Sequence, residues 1–117
     1  MDNKDIALLA AKALDSRKAM DITILDIAEK SGFADYFVIA CANSLRQVAA
    51  LADEVEDKLA QVGVFFRNIE GRGESGWVLM DFGDIIVNIF TQEQRERYQI
   101  EKVWSDCVRI DFEPENE

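Results

Sequence analysis

Three polar positions could carry chemistry: Ser44, directly after Asn43 at an apparent helix start, and the carboxylates Asp81 and Asp84, which flank Gly83. A hydroxyl among the free N–H groups of a helix start can hold a phosphate, and two carboxylates can share a metal ion. Together they outline a nucleotidyltransferase-like enzyme. The spacing weakens that reading. If Gly83-Asp84 forms a tight turn, Asp84 lies at its tip while Asp81 projects from a strand. No third carboxylate is spaced to converge with them, and Arg46 is the basic residue nearest Ser44. The glycine-rich run over residues 70–76 contains Arg72 but lacks the Walker spacing and its lysine, and a strand rather than a helix follows it. It reads as a flexible connection. There is no histidine, which removes Ser-His-Asp and Cys-His catalysis and the usual zinc sites. Cys41 and Cys107 have no metal-ligand spacing and read as free thiols of a reducing compartment. The expectation is a protein that is not an enzyme, with no catalytic residue, metal or cofactor.

The two carboxylates belong to the most informative stretch of the chain. Two runs of β-branched and aromatic residues, 77–82 and 85–90, are separated only by Gly83-Asp84, a pair suited to a two-residue hairpin turn. That turn fixes the register. Phe82 faces Ile85, Met80 faces Val87 and Val78 faces Ile89, giving one wholly apolar face that belongs to the core. The other face pairs Asp81 with Ile86, Leu79 with Asn88 and Trp77 with Phe90. Its mixture of large apolar and polar groups suits a surface covered partly, or only when a partner arrives. Trp77 would be the anchor, with Leu79, Ile86 and Phe90 around it and Asp81 for basic groups opposite. The bland alternative makes Trp77 a core residue under the protein's own helix, and Asp84 a simple turn residue.

Around this hairpin the remaining elements follow from periodicity. Residues 3–19 carry Ile6, Leu9, Ala10, Ala13 and Leu14 at the spacing of one helix face. A short strand follows at 22–27. Residues 36–42 are almost continuously apolar and read as a central strand covered on both faces. Ser44 and Gln47 have capping-box spacing at the start of a long helix whose buried stripe is Val48, Leu51, Ala52, Val55, Leu59 and Val62, with Gly63 placed to end it. Residues 64–69 suggest another strand. Thr91 and Gln94 repeat the capping spacing before a short helix over 92–98. Tyr98, Lys102 and Trp104 then either pack the last segment onto the sheet or extend the contact surface. The strand, helix, strand passage over 36–69 is long enough for a crossover between parallel strands, while the hairpin is antiparallel. The fold class is therefore α/β: one domain over residues 1–106, with a mixed sheet of about five strands flanked by helices, and an acidic tail over 107–117 expected to fray.

Composition narrows the partners. A chain of 117 residues, 49% hydrophobic, is the size of one domain with one core. Its net charge is −10, and removing the residues from Asp106 onward, five acids and Arg109, still leaves −6 on the body. The basic residues are scattered, with Arg95 and Arg97 the nearest to a cluster. A basic protein therefore fits this charge better than bare nucleic acid does. No window approaches about 18 uninterrupted apolar residues, and the first residues lack the order of a signal or transit peptide, so no membrane role is expected and the location is expected to be cytoplasmic.

These residues bring a family into view. The run over 34–40, the Asn43-Ser44 helix start with Leu51-Ala52-Asp53-Glu54-Val55, Glu70-Gly71, the Trp77-x-x-x-Asp81-x-Gly83-Asp84 hairpin and Glu101-Lys102-x-Trp104 together resemble the ribosomal silencing factor S family, also called Iojap-like. The resemblance covers about residues 4–106. It implies a fold similar to that of nucleotidyltransferases without their activity. It also implies a translation repressor that binds a basic ribosomal protein, protein fourteen of the large subunit, on the subunit-facing side, blocking association with the small subunit, notably when nutrients are scarce. A homodimer of the free chain stays open. The partner-binding candidates are Trp77, Leu79, Asp81, Ile86, Asn88, Phe90, Tyr98 and Lys102. Asn88 departs from the family, which commonly has histidine there. Asparagine keeps a hydrogen-bonding group but cannot titrate near neutral pH, so the position offers no proton-dependent role.

Overall fold

The computed structural model describes residues 1–71 and 76–112; Arg72 and Pro114 lie outside the described residues. The chain opens with α1 (Asn3–Ser16), β1 (Met20–Asp26), β2 (Tyr36–Ala42) and α2 (Leu45–Ala60). It continues through β3 (Asn68–Glu70), β4 (Trp77–Asp81), β5 (Ile85–Thr91) and α3 (Gln92–Tyr98), and closes with a 3₁₀ turn (Ile100–Lys102) and β6 (Val108–Ile110).

Side-chain caps set the helix starts. The Asp2 side chain accepts from the Asp5 backbone N–H (2.9 Å), and the Asp5 carboxylate accepts in return from the Asp2 N–H, which closes a capping box. Ser44 Oγ accepts from the Gln47 N–H (3.0 Å), while Gln47 Oε1 accepts from the Asn43 N–H (2.6 Å). The Gln47 side-chain amide also donates to the Arg17 and Lys18 carbonyls, joining the start of α2 to the end of α1. Val48, Leu51, Ala52, Val55 and Leu59 are buried as their spacing predicts. Val62 is not. The helix ends at Ala60, and Gly63, at φ 81°, turns the chain so that Val62 faces solvent.

The sheet has six strands in the order β3-β4-β5-β2-β1-β6, with β2 and β5 parallel and all other neighbours antiparallel. It is mixed, as expected, but three details differ. The parallel partner of β2 is β5, whereas the strand after α2 sits at the sheet edge. That edge strand starts at Asn68 rather than 64: Val64 and Phe66 pack against the core from a loop, and Phe65 is exposed. The sixth strand is β6. Its three residues, read from the sequence as the start of the acidic tail, pair with the outer edge of β1.

The hairpin register is as read. Trp77 pairs with Phe90, Val78 with Ile89, Leu79 with Asn88, Met80 with Val87 and Asp81 with Ile86, and the Phe82 N–H donates to the Ile85 carbonyl. Gly83 alone of the two turn residues takes a positive φ, 97°, the II′ pattern. Val78, Met80, Ile85, Val87 and Ile89 join Val38 and Ala40 of β2 in a core covered by α1 and α2. The opposite face holds a smaller cluster of Leu25, Ile27, Ala34, Phe37, Ile39, Ile86 and Phe90. Trp77, Leu79, Ile100, Trp104 and Cys107 pack over it.

One strand is irregular. Between Met20 and Thr23 the β1–β2 register shifts by one residue, and Asp21 takes φ 52°. Such a bulge turns a backbone carbonyl out of the ladder.

Candidate partner-binding surface

The second face of the hairpin, where a partner was expected, is largely closed by the chain's own last segment. Phe90 and Asn88 are fully buried and Ile86 nearly so, so these three candidates cannot touch a partner in this conformation. The reason is topological. β5 is an interior strand, and α3 with the 3₁₀ turn folds back over it, which a hairpin read in isolation does not reveal. Ile86 and Phe90 are therefore core residues, and Asn88 is a buried polar residue between them on the same face of β5.

What remains accessible is a strip at the edge of that cover. The Trp77 ring stacks on Phe90 with centroids 4.9 Å apart and planes at 26°, and Tyr98 leans against it at 4.8 Å, tilted by 45°. The indole Nε1–H donates to Asn88 Oδ1 (3.0 Å). Trp77 is thus half core and half surface: its ring covers Phe90, and its outer part meets Tyr98, which is 49% exposed. Together with Leu79, Glu70, Gly71 and Gln94 these two aromatics line a concavity of about 250 Å³. Apolar walls with a carboxylate at the rim suit an aliphatic or basic side chain of a protein partner.

The start of α3 places Tyr98. Thr91 Oγ1 accepts from the Gln94 N–H (3.3 Å), and the Thr91 N–H donates to the Gly76 carbonyl (2.8 Å). Gly76 has φ 79°, and a Cβ there would lie 3.1 Å from Gln94 and 3.2 Å from Thr91, so glycine lets β4 start directly beneath the helix. No residue of α3 is buried. Its attachment is polar: Arg95 donates to the Asp21 carbonyl (2.6 Å) in the β1 bulge, to Thr23 Oγ1 (3.3 Å) and to Cys41 Sγ (3.3 Å). The sequence showed Arg95 only as part of a weak basic pair; its role depends on a bulge that leaves no sequence signal.

Two other candidates lie apart from the strip. Lys102 is exposed in the 3₁₀ turn and borders a separate hollow with Asp21, Gln92, Glu96 and Gln99. Asp81 is half-buried at the hairpin's far end, where its Oδ1 accepts from the Gly83 N–H (2.8 Å) and braces the turn. Of the two roles left open for Trp104, the structure shows packing onto the sheet: it lies edge-on to Phe37 (5.4 Å) and Phe33 (6.3 Å), leaving Phe33 58% exposed. Lys30 and Asp106 form an ion pair that fastens the end of this segment. It raises the Lys30 pKa and lowers that of Asp106, in each case mainly through their hydrogen bond.

The residues from which an enzyme could have been built do not assemble. The Asp84 carbonyl accepts from the Asp35 and Tyr36 N–H groups at the beginning of β2. Ser44 lies just past the end of that strand. Seven extended residues separate them, on the order of 20 Å at ~3.3 Å per residue. Ser44 caps α2 and Asp81 braces the turn. Among the described residues no group of three or more His, Cys, Asp or Glu side chains could hold a metal ion.

The family model described as "Ribosomal silencing factor during starvation" matches residues 1–117. The Ribosomal silencing factor RsfS of Bacillus subtilis (strain 168) is 40% identical over 113 residues, covering 97% of this chain and 96% of that protein. A mouse protein named Mitochondrial assembly of ribosomal large subunit protein 1 is 28% identical over 104 residues, which is 86% of this chain and 45% of the mouse protein. The crystal structure of protein CV0518 from Chromobacterium violaceum superposes with a TM-score of 0.88 at 35% identity, covering 96% of this chain and 92% of that one. With the whole chain matched in sequence and nearly all of it in structure, this protein belongs to the ribosomal silencing factor family.

Proposed function

We propose that the chain is a cytoplasmic translation repressor. It binds a basic protein on the subunit-facing side of the large ribosomal subunit, protein fourteen by family resemblance, and blocks association with the small subunit, notably under nutrient limitation. The observation that carries this reading is the Trp77–Tyr98 strip: two large aromatic rings, fixed against each other and partly open to solvent, beside Glu70 on a chain of net charge −10. Aromatic residues anchored in a packed surroundings are the usual centre of a protein interface. The family name and the mouse relative's name support the ribosomal setting. No helix among the described residues is long and apolar enough to cross a membrane, which agrees with a role at the ribosome.

The test is sedimentation with purified subunits, followed by light scattering as small and large subunits are mixed. The protein should travel with the large subunit and slow joining. Failure to co-sediment, or joining at an unchanged rate, would overturn the proposal. Because long-range attraction to a basic partner is screened, the association rate should fall as salt rises, and a salt-independent rate would remove the role assigned to the net charge. Saturable binding of magnesium and nucleotide with turnover would instead revive the enzyme.

A further inference from the structure

The face of the sheet beneath α3 holds two buried polar side chains, Thr23 on β1, which Arg95 reaches, and Asn88, the one with no solvent exposure. Asn88 lies midway along β5 with no solvent exposure, flanked by Ile39 on β2 and Leu79 on β4, amid Phe37, Ile86 and Phe90. Its Oδ1 accepts the Trp77 indole N–H at 3.0 Å, while its Nδ2 has no hydrogen-bond partner among the described residues. An amide half-matched in such a place carries a desolvation penalty that an aliphatic side chain would avoid. What asparagine supplies, and leucine cannot, is an acceptor for Trp77.

The geometry gives that acceptor a purpose. Trp77 faces Phe90 directly across the hairpin and Asn88 diagonally. Stacking on Phe90 holds the indole plane but leaves the ring free to slide and turn within that plane. A directional N–H···O bond removes this freedom. We propose that Asn88 is a positioning residue: by holding the indole N–H it fixes the orientation in which Trp77 and Tyr98 are presented to the ribosomal partner. This rests on the repressor reading of that strip. Without the bond, the ring occupies several orientations, and binding must select one of them, which lowers the apparent affinity.

The experiment uses the full chain and purified large subunits at pH 8, with Asn88→Leu, Asn88→His and Trp77→Ala. The readouts are the Trp77 indole N–H resonance and the affinity for large subunits. Asn88→Leu should shift the resonance and weaken binding about five- to tenfold, the worth of one net hydrogen bond. Asn88→His, whose neutral imidazole offers an acceptor nitrogen at this pH, should restore both. A purely structural role predicts a lower melting temperature with unchanged affinity of the folded protein. Full affinity of Asn88→Leu with a displaced resonance would therefore overturn the proposal. If Asn88→Leu does not fold, Asn88→His decides alone: near-native resonance with near-native affinity supports positioning, and a near-native resonance with lost affinity refutes it, as does a displaced resonance with native affinity. Trp77→Ala reports on the underlying reading. Unchanged affinity there means that the strip is not the contact surface, whatever the Asn88 variants do.

Discussion

Trp77→Ala tests the double nature of this residue, because the structure gives it a share in stability and the proposed function gives it one in binding. Three losses combine. The stacked pair with Phe90 contributes about 1 kcal/mol beyond simple burial. Asn88 loses the indole that its Oδ1 now accepts from, leaving a fully buried amide unmatched, at a cost of about 1–2 kcal/mol. Phe90, now without any exposed surface, is uncovered on one side, which adds about 1 kcal/mol. The total is about 3–4 kcal/mol, against the ~5–15 kcal/mol of a typical domain, so the variant should fold. At about 4 °C per kcal/mol for a chain of this size, its melting temperature should fall by about 12–16 °C. Urea titration should show a lower midpoint at unchanged slope. A shift of less than about 4 °C would mean that the ring does not cover Phe90 in solution and that the packing described here is wrong.

Tyr98→Ala separates binding from stability: α3 buries no side chain, so the melting temperature should change by less than about 3 °C while affinity for large subunits drops about tenfold. Normal binding of this variant would take Tyr98 out of the contact surface. Gly83→Ala should behave in the opposite way, because Gly83 has φ 97° and a Cβ would meet the Arg67 guanidinium at 3.1 Å. A stability loss of about 1–2 kcal/mol with the affinity of the folded protein unchanged is expected in calorimetry and pull-down. Burial, and then Asp26, Asp2 and Asp35, raise the Tyr36 pKa above the usual 10.0. The folded state thus favours the neutral phenol, and the resulting stabilisation is present below pH 10.0 and lost as pH rises through the raised value. Tyr36→Phe should therefore unfold at higher pH in an alkaline titration followed by circular dichroism, and an unchanged midpoint would contradict this.

The hairpin was legible because a two-residue turn fixes parity. Once Gly83-Asp84 is placed, every cross-strand pair from Trp77 with Phe90 to Phe82 with Ile85 follows, and so does the division into faces. The start of α2 was equally readable, since Ser44 and Gln47 are local signals. The covering of the second face was not. Residues 98–107 have neither helical nor strand periodicity, so their order leaves open whether Trp104 packs onto the sheet or extends a contact surface, and does not show that Ile100 and Cys107 return with it to bury Ile86 and Phe90. Val64 and Phe66 alternate as a strand would but lie beyond the reach of the edge pairing with β4, which begins at Asn68. Three residues of β6 are too short to stand out from an acidic tail. Trp77 showed why the candidate surface was only half visible: its type announces an anchor, but the share of its ring left to solvent depends on a helix encoded later in the chain.

The bulge in β1 gives an unexpected meaning to the length of that strand. The Asp21 carbonyl that receives Arg95 points outward because one more residue lies between Met20 and Thr23 than between their partners Cys41 and Ile39. Deleting one residue there would regularise the ladder, ordinarily a repair. In this protein it would withdraw one of the three acceptors of a guanidinium 74 positions away and loosen a helix that otherwise rests on its Thr91 cap and the Tyr98–Trp77 ring contact. A one-residue gap near position 21 in an otherwise similar chain would thus be no neutral trimming of a strand end, and position 95 should change together with it: an indel and a substitution, far apart in the sequence, inherited as one event.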